Sequence, residues 1–147
     1  MKILITDKLS PLFIELLEKN NIDYEYNFCD SLSQFGTKIH EFDGIVVRNR
    51  LVIDKNFLEH AKNLKFIARY GSGMELIDTH FAEKVNIKCF NSAAGNANSV
   101  AEHNLGMLLA LFHKITHSMK QLNNLVWERE ENRGIEVEGK TIGIIGY

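Results

Sequence analysis

Proline is nearly absent, with Pro11 the only one in 147 residues, and no internal repeat or low-complexity stretch interrupts the chain. Collagen-like, proline-rich and solenoid architectures are thereby excluded. Cysteine is scarce too: Cys29 and Cys89 stand alone, outside any C-x-x-C pair and without a histidine at ligand spacing. They are expected as buried reduced thiols, not as a disulfide or a metal site. No apolar run reaches the roughly 18 residues that would cross a bilayer, and the opening "MKILITDK" has no signal-peptide core or cleavage site. A cytoplasmic location with no membrane partner is expected. The formal net charge is only -2, with acids and bases interspersed, which argues against a nucleic-acid groove. What is present is an ordinary share of apolar residues, 45%, enough to bury the core of one domain, or of one domain and a piece of another.

Those apolar residues come in short, regularly spaced runs. "KILIT" (2–6) stops at Asp7 and reads as a buried strand. Ser10 caps a helix with Pro11 in its first turn, where a missing N–H costs nothing, and Leu12, Ile14, Leu16 and Leu17 supply its stripe. Ile22, Tyr24, Tyr26 and Phe28 alternate with polar residues, as in a strand near a sheet edge. A short helix at 33–40, a strand "GIVV" (44–47), a helix capped by Asp54, a strand "KFIAR" (65–69), a helix at 77–84 and a strand "IKCF" (87–90) follow. Strict alternation of this kind predicts an α/β fold, a doubly wound parallel sheet with helices on both faces. "NSAAGNAN" (91–98) then reads as a linker between domains. A capping box, Ser99-x-x-Glu102, opens a long helix from Ser99 to about Leu125 whose apolar positions need cover on more than one side. Finally "TIGIIG" (141–146) reads as a buried strand beginning a second sheet.

Several short motifs carry chemistry. Arg48 and Arg50 follow the third strand at its carboxyl end, where open α/β sheets bind ligands, and guanidinium groups suit carboxylate or phosphate. Arg69 ends the fourth strand and is a third candidate. Gly71-x-Gly73 follows that strand, but Leu76 occupies the third glycine position of a dinucleotide fingerprint and Asn91 the place of its ribose-binding acid. Those two glycines serve either as an anion nest of backbone N–H groups or as a turn required by geometry. Gly146 sits where a strand would meet the first glycine of G-x-G-x-x-G. His113 and His117 share a helix face at i, i+4 but lack the glutamate of a zinc motif, so no metal is expected. Glu102-His103 is an acid/base pair on paper only, since neighbouring helical side chains diverge.

Taken in order, "DGIVVRNRLVID", "LKFIARYGSGMELID", "CFNSAAGNANSVAEHNLGMLLAL" and "GKTIGIIGY" resemble the D-isomer-specific 2-hydroxyacid dehydrogenases. The resemblance implies a flavodoxin-like substrate-binding domain over 1–95. Over 96–147 it implies the start of an NAD-binding Rossmann domain, a long helix and first strand cut at the first glycine of the cofactor turn. By the same resemblance, Arg48, Asn49, Arg50, Arg69, Gly71, Ser72, Gly73 and Asn96 contact a small anionic 2-hydroxy or 2-oxo acid. Ser72 and Gly146 touch NAD. Arginine at both 48 and 50 points to the phosphoglycerate branch, in serine biosynthesis. The family's catalytic histidine, glutamate and arginine match no position here, so the chain is expected to be a partial product without turnover. A homodimer or larger assembly through the helix from Ser99 is also implied. The competing expectation is a non-catalytic anion-binding module, or a corepressor-like interaction platform on the same fold.

Overall fold

The computed structural model describes residues 1–28 and 38–146. Its first elements are β1 (Lys2–Ile5), α1 (Pro11–Lys19), β2 (Asp23–Tyr26), a 3-10 turn (Ile39–Glu41) and β3 (Gly44–Val47). They continue with α2 (Lys55–His60), β4 (Phe66–Arg69), α3 (Thr79–Lys84), β5 (Lys88–Asn91), α4 (Ala93–Phe112) and α5 (Ile115–Asn123). Cys29, Tyr147 and most of the helix expected at 33–40 lie outside the described residues; what is described of that helix is the 3-10 turn.

All five strands are parallel, in the order β2-β1-β3-β4-β5. This is the flavodoxin-like order, in which the direction of winding reverses between β1 and β3. Period-two alternation sorts the strand residues onto two faces. Ile3, Ile5 and Val46 pack with Leu9 and Leu17 on the face that carries α1. Leu4, Ile45, Val47 and Ile67 pack on the other with Phe57 and Leu58 of α2 and Ala82 of α3. Fully burying one such aliphatic side chain contributes about 1.5–3 kcal/mol, so this double-sided core supplies the stability of the sheet.

Helix starts follow the expected chemistry in part. Asp54 and Asp78 cap α2 and α3, their carboxylates accepting from the Phe57 N–H at 2.8 Å and the Phe81 N–H at 2.9 Å. Ser10 holds the cap position before Pro11, but its side chain makes no capping bond.

The chain divides into two compact units, Met1–Asn96 and Ala97–Tyr147. Around and beyond that division three expectations need correction. The supposed linker at 91–98 is helical from Ala93, because Ala93, Ala94 and Ala97 are strong helix formers and outweigh the polar residues among them. Ser99 and Glu102 therefore lie inside α4 and do not open it. Nor is the helix continuous to Leu125: it breaks at His113–Lys114, where Lys114 takes a left-handed φ of 51°. The 128–135 segment crosses at that break, with the Ile135 N–H donating to the Phe112 carbonyl at 3.0 Å and Lys114 Nζ to the Glu131 carbonyl at 2.6 Å. The third correction concerns 141–146, which forms no strand; Ile142, Ile144 and Ile145 are exposed. A strand needs a neighbour to take up its backbone groups, and the described residues contain no second sheet.

Candidate functional site

The carboxyl ends of β1, β3, β4 and β5 lie on one side of the sheet because every strand runs in the same direction. Parallel register places Asp7, Arg48, Tyr70 and Ser92 directly beyond those ends. The Tyr70 N–H donates to the Val47 carbonyl at 2.8 Å, continuing the β3–β4 pairing into the loop. The Ser92 N–H and Oγ donate to the Gly71 carbonyl at 2.9 and 3.3 Å, and Asn91 Nδ2 donates to the Ser72 carbonyl at 2.9 Å. Four bonds thus tie the glycine loop to its neighbouring strands.

A cavity of about 390 Å³ opens there, lined by Arg48, Tyr70, Gly71, Ser92, Gly95 and Asn96. Its size suits a small metabolite. The Arg48 guanidinium stands 6.0 Å from the centroid of the Tyr70 ring, at the outer range of a cation–π contact, and makes no hydrogen bond among the described residues. Gly95 and Asn96 belong to the first turn of α4, the positive end of the helix dipole, where the Gly95 N–H donates to the Ser92 carbonyl at 3.1 Å and the Ala93 N–H to Asn91 Oδ1 at 3.4 Å. One free arginine and one helix N-terminus on the same small cavity make it electropositive and able to hold a carboxylate or phosphate.

Of the residues expected to bind substrate, Arg48, Gly71 and Asn96 line this cavity. Arg50 is turned away: its Nε donates to Asp7 Oδ1 at 3.1 Å and its Nη2 to the Thr6 carbonyl at 2.5 Å. Arg69 lays its guanidinium against Gly71, where a Cβ would come within 2.8 Å of Nη1. Its Nε is buried with no hydrogen-bond partner among the described residues. Gly73 is covered by Glu75, whose carboxylate oxygens would be 2.1 Å from a Cβ there. Neither glycine has a positive φ, and what a Cβ would displace at each is the end of a flexible side chain, Arg69 or Glu75. Asn49 and Ser72 are exposed and do not line the cavity. Gly146 belongs to the second unit, with φ 88° and open space where a Cβ would stand. A pyrophosphate cradle needs three glycines and a helix N-terminus, of which the described residues carry the expected first glycine, Gly146. His117, instead of pairing with His113, has its Nε2 3.2 Å from Glu131 Oε1.

Sequence reasoning passed over Tyr70, Ser92, Gly95 and Asp7. Asp7 was the most legible of them, an acid ending an apolar strand on the ligand side of the sheet.

A family model described as the D-isomer specific 2-hydroxyacid dehydrogenase catalytic domain matches residues 3–139. The chain belongs to this family. Among curated relatives, it is 34% identical over 146 residues to a D-3-phosphoglycerate dehydrogenase of Archaeoglobus fulgidus, matching 99% of this chain and 28% of that one. It is 38% identical over 109 residues to a hydroxypyruvate reductase of Thermotoga maritima, 74% of this chain and 36% of that one. Among solved structures, the NAD+-bound 3-phosphoglycerate dehydrogenase of Entamoeba histolytica aligns with a TM-score of 0.64 at 26% identity, over 78% of this chain and 40% of that one. The chain thus spans about a third of the length of the curated relatives it matches. Family membership accounts for the five-stranded parallel sheet.

Proposed function

We propose that this chain is the N-terminal portion of an NAD-dependent D-2-hydroxyacid dehydrogenase of the phosphoglycerate-acting branch. In this reading residues 1–95 are its substrate-binding domain, and 96–147 begin its Rossmann domain. The complete enzyme would move a hydride between substrate C2 and NAD, in the cytoplasm, as part of serine biosynthesis. The observation that carries the reading is Arg48, held over Tyr70 with its guanidinium unspent, at the mouth of a cavity shared with the first turn of α4. The anionic substrates of 2-hydroxyacid dehydrogenases demand such a group, and the similarity to phosphoglycerate dehydrogenases runs along 99% of the chain. NAD enters from the family and from the cofactor bound in the Entamoeba relative. In this reading the role of the described residues is to hold the substrate anion.

Calorimetric titration of the 147-residue chain with 3-phosphoglycerate tests this. Saturable binding is expected, weakened roughly tenfold or more in Arg48→Ala, the loss typical of a charged hydrogen bond. Equal binding by the variant and the parent would remove Arg48 from the site. No absorbance change at 340 nm is expected when NAD is added to the same mixture.

A further inference from the structure

We propose that Asp7 is a positioning residue of the anion site: it takes Arg50 out of competition and holds the Arg48 backbone, so that Arg48 alone meets the ligand. The inference rests on reading the Arg48 cavity as an anion site, and it deepens that reading by dividing two arginines that the sequence alone makes equivalent.

Asp7 is only 6% exposed, and a carboxylate so placed must be neutralised locally. Both of its oxygens are engaged. Oδ1 accepts from Arg50 Nε at 3.1 Å, while Oδ2 accepts from the Arg48 N–H at 3.0 Å and from Thr6 Oγ1 at 3.0 Å. Arg50 is held further by the Thr6 carbonyl at 2.5 Å and the Phe28 carbonyl at 3.4 Å. Three edges of its fork therefore face protein acceptors, and its charge is matched by the Asp7 carboxylate. Arg48 is in the opposite state. Its backbone is pinned to Asp7, but its guanidinium has no acceptor among the described residues and faces the Tyr70 ring.

The location gives the arrangement its purpose. Asp7 follows β1 and both arginines follow β3, so this carboxylate spans the point where the winding of the sheet reverses. Without it, the loop after β3 would lose the anchor of the Arg48 N–H and the carboxylate that matches the charge of Arg50, which would keep only its carbonyl acceptors. The Arg50 charge would then be unmatched and freer to compete for an anion, and the fixed position of the Arg48 backbone would be lost. Small ligands depend on such preorganisation, because a freely moving guanidinium must be ordered at the expense of binding.

Arginine modification by phenylglyoxal, mapped by mass spectrometry with and without saturating 3-phosphoglycerate, tests this on the 147-residue chain. In the unmutated protein Arg48 should react rapidly and be protected by the ligand, while Arg50 should react slowly and be indifferent to it. In Asp7→Asn, Arg50 should become as reactive as Arg48, and ligand affinity should fall by roughly tenfold or more, while the melt stays cooperative. Arg50→Lys, which retains the pairing with Asp7, should bind as the parent does. Ligand protection of Arg50, or unaltered affinity in a folded Asp7→Asn, would overturn the positioning role and leave the anion site standing. Absence of protection at Arg48 would overturn both. Should Asp7→Asn fail to fold, the labelling pattern of the unmutated chain decides the matter, since it needs no variant.

Discussion

Gly44 lies beneath the ring of Phe66, so closely that a Cβ there would be 2.1 Å from Cζ. The β3–β4 register sets these two residues directly opposite each other, and only hydrogen fits under the ring. Gly44→Ala is expected to lose about 1–3 kcal/mol in urea denaturation, the usual range for overpacking. Adding Phe66→Leu should recover part of it; a fully additive loss would show that the ring is not the obstacle. Asp43, next in the chain, titrates in a way that affects stability. A hydrogen bond from Lys65 Nζ at 2.5 Å, followed by the Lys2 backbone N–H at 2.8 Å, holds its carboxyl below the ordinary aspartate range. A depressed folded pKa stabilises the protein above the unfolded pKa, and that contribution is lost as pH falls through the folded value. Asp43→Asn should therefore melt lower than the parent at neutral pH, with the gap closing in strong acid. A gap independent of pH would assign the loss to packing. At this scale Arg48 was legible from its place after an apolar strand. Its distinction from Arg50 was not, because the partner that separates them is 43 positions away from Arg50.

Among the elements, the short helices depend most on their ends. α2 and α3 are six residues each, too short to persist by propensity, and each begins on an aspartate cap. Asp54→Ala should cost about 1 kcal/mol, read from urea midpoints, with Asp54→Asn retaining most of the stability. An Asn variant as unstable as Ala would mean that the charge of Asp54, and not its acceptor, matters. The five paired strands and the Asp54 cap were legible because their signals are local, apolar runs of four or five residues and an aspartate just before a helix, whereas Ser10 and Ser99 read as caps and cap nothing. The long helix was misread at both ends. Its start was hidden because Asn96, Asn98 and Gly95 resemble linker residues while the alanines among them favour helix. Its break at Lys114 has no local signal either, since it arises where residues from the 130s pack back across it.

At the scale of the whole molecule, the two units differ in how they are held. Met1–Asn96 owns the buried clusters on both faces of its sheet. In contrast, neither α4 nor α5 has a buried side chain, and Leu111 is 74% exposed. Apolar surface left in this way favours association. If α4 serves the homodimer that the family resemblance implies, sedimentation velocity should show a concentration-dependent shift that Leu111→Glu reduces. A monomer unaltered by concentration would argue against that role.

The sequence alone determined the parallel α/β class and the positions of the five paired strands, though it also suggested a strand at 141–146 that does not form, because apolar period and element order are written residue by residue. Only the tertiary structure decided which arginine lines the cavity, which side chains lie against Gly71 and Gly73, and where the long helix begins and breaks. Each of these turns on what a side chain or a backbone turn meets when distant segments come together. Asp7 reaches Arg48 across 41 positions, a distance that no local pattern spans and that parallel strand register closes to a hydrogen bond.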